Sequence, residues 1–270
     1  MRRLIAVAGT AGLISLGCIA PPAMAAAPSA PAYTCTGGEF PFAMVHIPSG
    51  DYASITVAGA CDVEPDGVYS IAGNLNVLAG AVFDAQSAPS TITVGRNVTA
   101  AAGSLLGLGC QPPSYTGNSG HACYSEEDPP NVRSFITVDG NVTATDANTV
   151  LLNGITVMGN VMLAGGGGDF PWSVKNNTIE RNLTVSEVTA NWFGALFNHI
   201  GGNATLTNIT ATDPEEVEAG GIPPVYIVRN TIARNLTCMG IGPALSFGFY
   251  PGQVNTVGHN ANGQCADPVS

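Results

Sequence analysis

An asparagine returns at Asn74, Asn97, Asn141, Asn160, Asn182, Asn203, Asn235 and Asn260. It is framed each time in nearly the same way: "SIAGNLNV", "TVGRNVTA", "TVDGNVTA", "TVMGNVML", "TIERNLTV", "HIGGNATL", "TIARNLTC" and "TVGHNANG". The separations are 23, 44, 19, 22, 21, 32 and 25 residues. Self-similarity at a period near 22 constrains the fold more than any local motif, because it marks a stack of like units that share one core. Three residues before the anchor stand Ile71, Val94, Val138, Val157, Ile179, Ile200, Ile232 and Val257, all apolar. The residue after it is Leu75, Val98, Val142, Val161, Leu183, Ala204, Leu236 or Ala261. Apolar positions alternating on both sides of a fixed polar point describe two short strands meeting at a corner.

The spacing therefore predicts an all-β, single-stranded right-handed parallel β-helix of about eight to ten coils of roughly 22 residues. The 44-residue gap reads as two turns, one of them extended around Cys110 and Cys123, and the 32-residue gap as one turn plus an insertion. A β-sandwich does not explain the fixed period. Coils are expected over 69–265, with insertions near 104–133 and 211–224. Residues 26–68 are read as an N-terminal extension and cap, and residues 266–270 as a tail.

A second row lies five residues before the anchor. It reads Tyr69, Ile92, Ile136 and Ile155, then switches to Asn177, Asn198, Asn230 and Asn255. Both asparagine rows are read as structural ladders, since stacked amides satisfy one another where a lone buried amide is costly. Several anchors are also N-x-T sequons, but their coincidence with the register points to corner formation, and an anchor amide facing inward would not accept a glycan.

Residues 1–25, with Arg2 and Arg3 ahead of an apolar run and Ala23-Met24-Ala25 at its end, fit a cleaved export leader, which predicts a secreted or cell-surface protein. The remaining cysteines, Cys35, Cys61, Cys110, Cys123, Cys238 and Cys265, are even in number and lack CxxC spacing, which favours three disulfides, with neighbours paired as the expectation. A net charge of −11, deepened when Arg2 and Arg3 leave, argues against a nucleic-acid partner. No apolar run beyond the leader is long enough for a transmembrane anchor.

With this register in place, the chain resembles the right-handed parallel β-helix proteins, and its GNV and GNL phrases look like the repeats of the polymer-forming bactofilins. The closing stretch carries Asn235, Cys238, Pro243, Gly252, Asn255, Gly258, Gly263 and Cys265, and is similar to the tail of secreted actinobacterial β-helix proteins of uncharacterised function. The resemblance implies architecture. Lyases, hydrolases, adhesins and scaffolds share the fold, so it does not carry an activity.

A polysaccharide lyase or glycoside hydrolase is the enzymatic alternative. Its most economical constellation joins Lys175, Glu180, Arg181, Glu187 and Arg234, with carboxylates to place Ca²⁺ or act as acid and base. Arg181 and Arg234 occupy equivalent repeat positions, which weakens the case for either as a unique catalyst. The acidic groups "CDVEPDG", "SEEDPP" and "TDPEEVEAGG" offer oxygens for Ca²⁺ but match no EF-hand loop, and the four histidines are too scattered for zinc. The favoured reading is noncatalytic: a scaffold or surface-association protein, with a polysaccharide or cell-envelope component, or further copies of itself, as partner. Trp172, Trp192, Phe193, Phe249 and Tyr250 are the candidate carbohydrate-binding aromatics.

Overall fold

The computed structural model describes residues 30–124, 128–222, 224–248 and 254–266. The expected leader, the aromatics Phe249 and Tyr250, and the tail beyond Ala266 lie outside the described residues. The chain winds as a right-handed parallel β-solenoid of about ten turns. Three parallel sheets form its walls. The first has ten strands, from Ala32–Cys35 to Ala261–Gly263; the second has nine, from Val45–Ile47 to Ala244–Ser246; the third has nine, from Gly50–Tyr52 to Thr256–Val257.

Equivalent residues stack coil on coil. Val98 pairs with Leu75 and Val142, Val142 with Val161, Val161 with Leu183, and Leu183 with Ala204. The slot three before the anchor forms a second column in which Ile71, Val94, Val138, Val157, Ile179, Ile200 and Ile232 are at most 2% exposed. Each such side chain contributes about 1.5–3 kcal/mol relative to exposure, and a single coil, with no neighbour above or below, could not bury them.

Two boundaries differ from expectation. The coils begin well before Tyr69: Ala32–Cys35 pairs with Ser54–Val57, which pairs with Leu75–Val77. Ser54 fills the slot that Asn74 fills one coil later, so the asparagine signal is missing where the stack has already started. The 44-residue gap is one turn, since Val98–Ala100 pairs directly with Val142–Ala144. The strand Leu105–Leu108 is a regular member of the second sheet, and the inserted segment runs from about Gly109 to Arg133. Its length is close to one coil, which spacing alone cannot tell from a coil.

The corners differ in kind. Between the first and second sheets the chain turns on residues with positive φ: Gly80, Gly103, Asp146, Gly165, Glu187, Asn208 and Gly240. In Leu183–Ala190 this left-handed residue resets the alternation, so that Val185 and Val188, three apart, both point inward. Between the second and third sheets Gly109, Gly154, Asn176, Phe197 and Arg229 do the same. The third corner carries the asparagine anchors.

The first insertion folds against the outside of the second sheet. The Cys110–Cys123 disulfide closes it, Arg133 lies over the rings of Tyr115 (3.8 Å) and Phe135 (4.8 Å), and Asn118 and Asn176 exchange amide hydrogen bonds of 2.8 and 3.0 Å. In the second, Asp213 caps the short helix Pro214–Glu218 by accepting from the N–H groups of Glu215 and Glu216. Cys35–Cys61 and Cys238–Cys265 join neighbouring coils near the two ends, so the expected neighbour pairing holds throughout.

Candidate functional site

The asparagine anchors face outward as one ladder. The backbone N–H and Nδ2 of Asn160 both donate to Oδ1 of Asn141 (2.8 and 3.1 Å), and Asn182 does the same to Asn160, Asn203 to Asn182, Asn235 to Asn203 and Asn260 to Asn235. Asn97 and Asn141 extend the row back to Asn74. These residues are half-buried or exposed. The ladder uses one hydrogen of each Nδ2 and leaves the other available to a ligand.

Threonines line both sides. On the first sheet the outward column is Thr99, Thr143, Met162, Thr184, Thr205 and Thr237; on the third it is Thr93, Thr137, Thr156, Thr178, His199 and Thr231. β-Branched residues suit stacked strands, and the same choice places hydroxyls at a coil rise of about 4.8 Å, interrupted by Met162 in one column and His199 in the other. A shallow groove of about 420 Å³ runs along this strip, bounded by Asn141, Asn160, Asn182 and Asn203 and by Thr143, Thr184 and Thr205. The threonine columns were not singled out from sequence, although the anchor-plus-two position already showed them.

The second asparagine row is buried. Asn177, Asn198 and Asn230 are 1–2% exposed. Each donates Nδ2 to a main-chain carbonyl of the second sheet and to Oδ1 of the next asparagine, ending at Asn255. At the other end Oδ1 of Asn177 accepts from the N–H of Ile155, where the apolar half of the row begins.

Trp172 and Phe193 are in the core, 1% and 0% exposed, so neither ring is presented to a ligand at the surface; the indole N–H of Trp172 donates to the carbonyl of Asn148 at 2.9 Å. Both sit at inward positions of second-sheet strands and are direct partners. Trp192 precedes the strand and lies outside. Its ring covers Gly194, where a Cβ would overlap it, and packs against Tyr226 with centroids 5.6 Å apart. Tyr226 was not anticipated. Its hydroxyl pKa is raised by burial and then by Glu216 and Asp213 of the second insertion.

The proposed lyase constellation does not converge. Lys175 is on the outside of the second sheet, Glu187 is at the corner between the first and second sheets, and Glu180, Arg181 and Arg234 are at the anchor corner. There Gly202 separates the two arginines: its N–H donates to the carbonyl of Arg181, and the Arg234 N–H donates to the carbonyl of Gly202. Among the described residues, no group of three or more His, Cys, Asp or Glu is placed to hold a metal ion. No described helix is long and apolar enough to cross a membrane.

Lys175 instead lies on the outer face of the second sheet, near enough to the first insertion for its charge to act on His121. Its register partner is Asn153, and Ser173, two residues earlier on the same face, donates to Oδ1 of Asn153 at 3.0 Å. Desolvation lowers the pKa of Lys175, and desolvation, then the charge of Lys175, lowers that of His121 to about 4 against an upward pull from Asp84.

Comparison with protein-family models, curated proteins and solved structures finds no match. The functional reading therefore rests on the molecule's own geometry.

Proposed function

We propose that this chain is an exported, noncatalytic scaffold that associates with a surface by binding a hydroxyl-rich polymer, of which a polysaccharide of the cell envelope is the natural example. The observation that carries this reading is the outward strip of Asn141, Asn160, Asn182 and Asn203 beside Thr143, Thr184 and Thr205. A row of identical amides at one coil spacing, with hydroxyls on three of the four coils and Met162 on the other, suits a ligand that repeats, and a groove lined by no charged side chain suits a neutral one. The leader-like residues 1–25 and the disulfides are in keeping with an extracellular setting. The regular stack holds the strip without rearrangement, so little ordering cost opposes binding.

The test is retention of the mature protein on a panel of neutral and acidic polysaccharides, with product formation followed in parallel, with and without Ca²⁺. Retention without products is expected, weakened about tenfold by the triple change Thr143→Val, Thr184→Val and Thr205→Val, a loss of about 1.4 kcal/mol. Retention lost in Trp192→Ala but untouched by the triple change would move the contact to the second sheet. Glycan turnover abolished by Glu180→Gln or Arg181→Ala would overturn the noncatalytic reading.

A further inference from the structure

We propose that Lys175 and Asn153 condense into an intramolecular isopeptide bond that joins consecutive strands of the second sheet. The two are direct partners in the parallel register between Thr149–Asn153 and Trp172–Lys175, and both are at outward positions of that sheet. Parallel partners lie about 4.8 Å apart with their side chains on one face, within reach of a lysine folded back along its row.

The fold also leaves the amide incomplete and partly covers the lysine. Asn153 is 2% exposed, yet its Nδ2 has no hydrogen-bond partner. Lys175 is largely covered, with Asn153 on one side and the 6% exposed Leu196 on the other, and no hydrogen bond or ion pair reaches its Nζ among the described residues. A buried amide donor without a partner is costly. Desolvation lowers the pKa of the ammonium, which favours the neutral amine, the form able to attack a carbonyl carbon.

A neighbour on the same face polarises the amide. The Ser173 hydroxyl donates to Oδ1 of Asn153 and so draws electron density from Cγ, the atom to be attacked, and holds the negative charge that develops on that oxygen. The lone pair of neutral Nζ forms the new bond to Cγ. One proton passes from the attacking nitrogen to Nδ2, the Cγ–Nδ2 bond breaks, and Nδ2 leaves as ammonia. The product is a secondary amide; no oxidant or reductant takes part. A single condensation thus removes the unpartnered amide nitrogen and ties one coil covalently to the next.

The experiment is the intact mass of the folded, disulfide-bonded protein, followed by proteolysis and tandem mass spectrometry. The expected result is a deficit of one ammonia from the sequence mass, with a branched peptide linking Lys175 to Asn153, and the full mass restored in both Lys175→Arg and Asn153→Ala. Ser173→Ala is expected to slow the appearance of the deficit at least tenfold. Wild-type protein at its full mass would overturn the proposal without reference to any variant. So would a deficit that persists in Lys175→Arg, which would assign the lost ammonia to cyclisation at an asparagine.

Discussion

Asn177 gives both its backbone N–H and its Nδ2 to Oδ1 of Asn198, at 3.1 and 3.0 Å, toward the C-terminal end of the stack. The outer ladder runs the opposite way: Asn182 gives the same pair of bonds back to Asn160, toward the N-terminal end. Two amide rows of opposite polarity thus bind the same coils, one in the core and one at the surface. What separates them energetically is access to water.

Removing a buried member should therefore cost far more than removing an outer one. In Asn198→Leu the N–H and Nδ2 of Asn177 lose their acceptor, the carbonyl of Val174 loses its donor, Oδ1 of Asn230 keeps only the backbone N–H of residue 198, and no water replaces the lost bonds. The expected loss is about 3 kcal/mol or more, against about 1 kcal/mol for Asn182→Ala, where solvent reaches the gap. Urea unfolding of the two variants side by side checks the difference; equal losses would mean that the inner row is not sealed.

Glu187 offers a test of the corner chemistry. Its φ of 59° places a side chain where glycine is at ease, at a position filled by Gly165 one coil earlier and Gly240 two coils later. Relief of that strain should make Glu187→Gly stabilising by up to about 1 kcal/mol, whereas the β-branched Glu187→Val should destabilise by about 1–2 kcal/mol. Thermal melts of the pair give the sign directly. A glycine that leaves polysaccharide turnover, if any, unchanged would also detach Glu187 from the lyase alternative.

The pocket around His121 predicts a pH dependence. Its folded pKa, about 4, is below the usual 6.5, so between those values the unfolded chain binds a proton that the folded chain refuses. The stabilisation is complete above about pH 6.5 and is lost as pH falls toward 4. Desolvation outweighs Lys175 as the cause, so the slope should survive substitution of Lys175, and Asp84, pulling the other way, should steepen it when changed to Asn. Denaturant titrations from pH 7 to pH 4 are expected to show His121→Gln with a flatter profile than the parent.

Much of the architecture was legible because each coil repeats its polar point with its apolar frame, as at Asn141, Asn160, Asn182 and Asn203. The change from Ile155 to Asn177 likewise foretold where the buried amides begin. Ser54 hid the earlier coils, since a hydroxyl in the anchor slot breaks the pattern without breaking the stack. The grouping of Asn153, Ser173 and Lys175 near the first insertion was illegible for another reason: the insertion meets the corner between the second and third sheets through tertiary contacts such as Asn118 with Asn176, which have no period. Trp172 and Phe193 were misplaced for want of strand parity. Trp192 and Phe193 are adjacent, so only one of them can point inward.

That parity can be checked optically, because Trp172 and Trp192 are the only tryptophans. Trp172 is sealed in the core, whereas Trp192 lies flat over Gly194 and beside Tyr226 on the outside. A methyl group at residue 194 would occupy the ring's place, so Gly194→Ala should lift the indole from the sheet, red-shift its emission and raise its quenching by acrylamide, while Trp172 keeps its shielded signal. The cost in stability is expected to stay near 1–2 kcal/mol, as only packing outside the core is lost. Measured in a Trp172→Phe background, the emission comes from Trp192 alone. An unchanged spectrum there would show that the ring does not rest on Gly194, and would remove the only described, partly accessible tryptophan from the second sheet's surface.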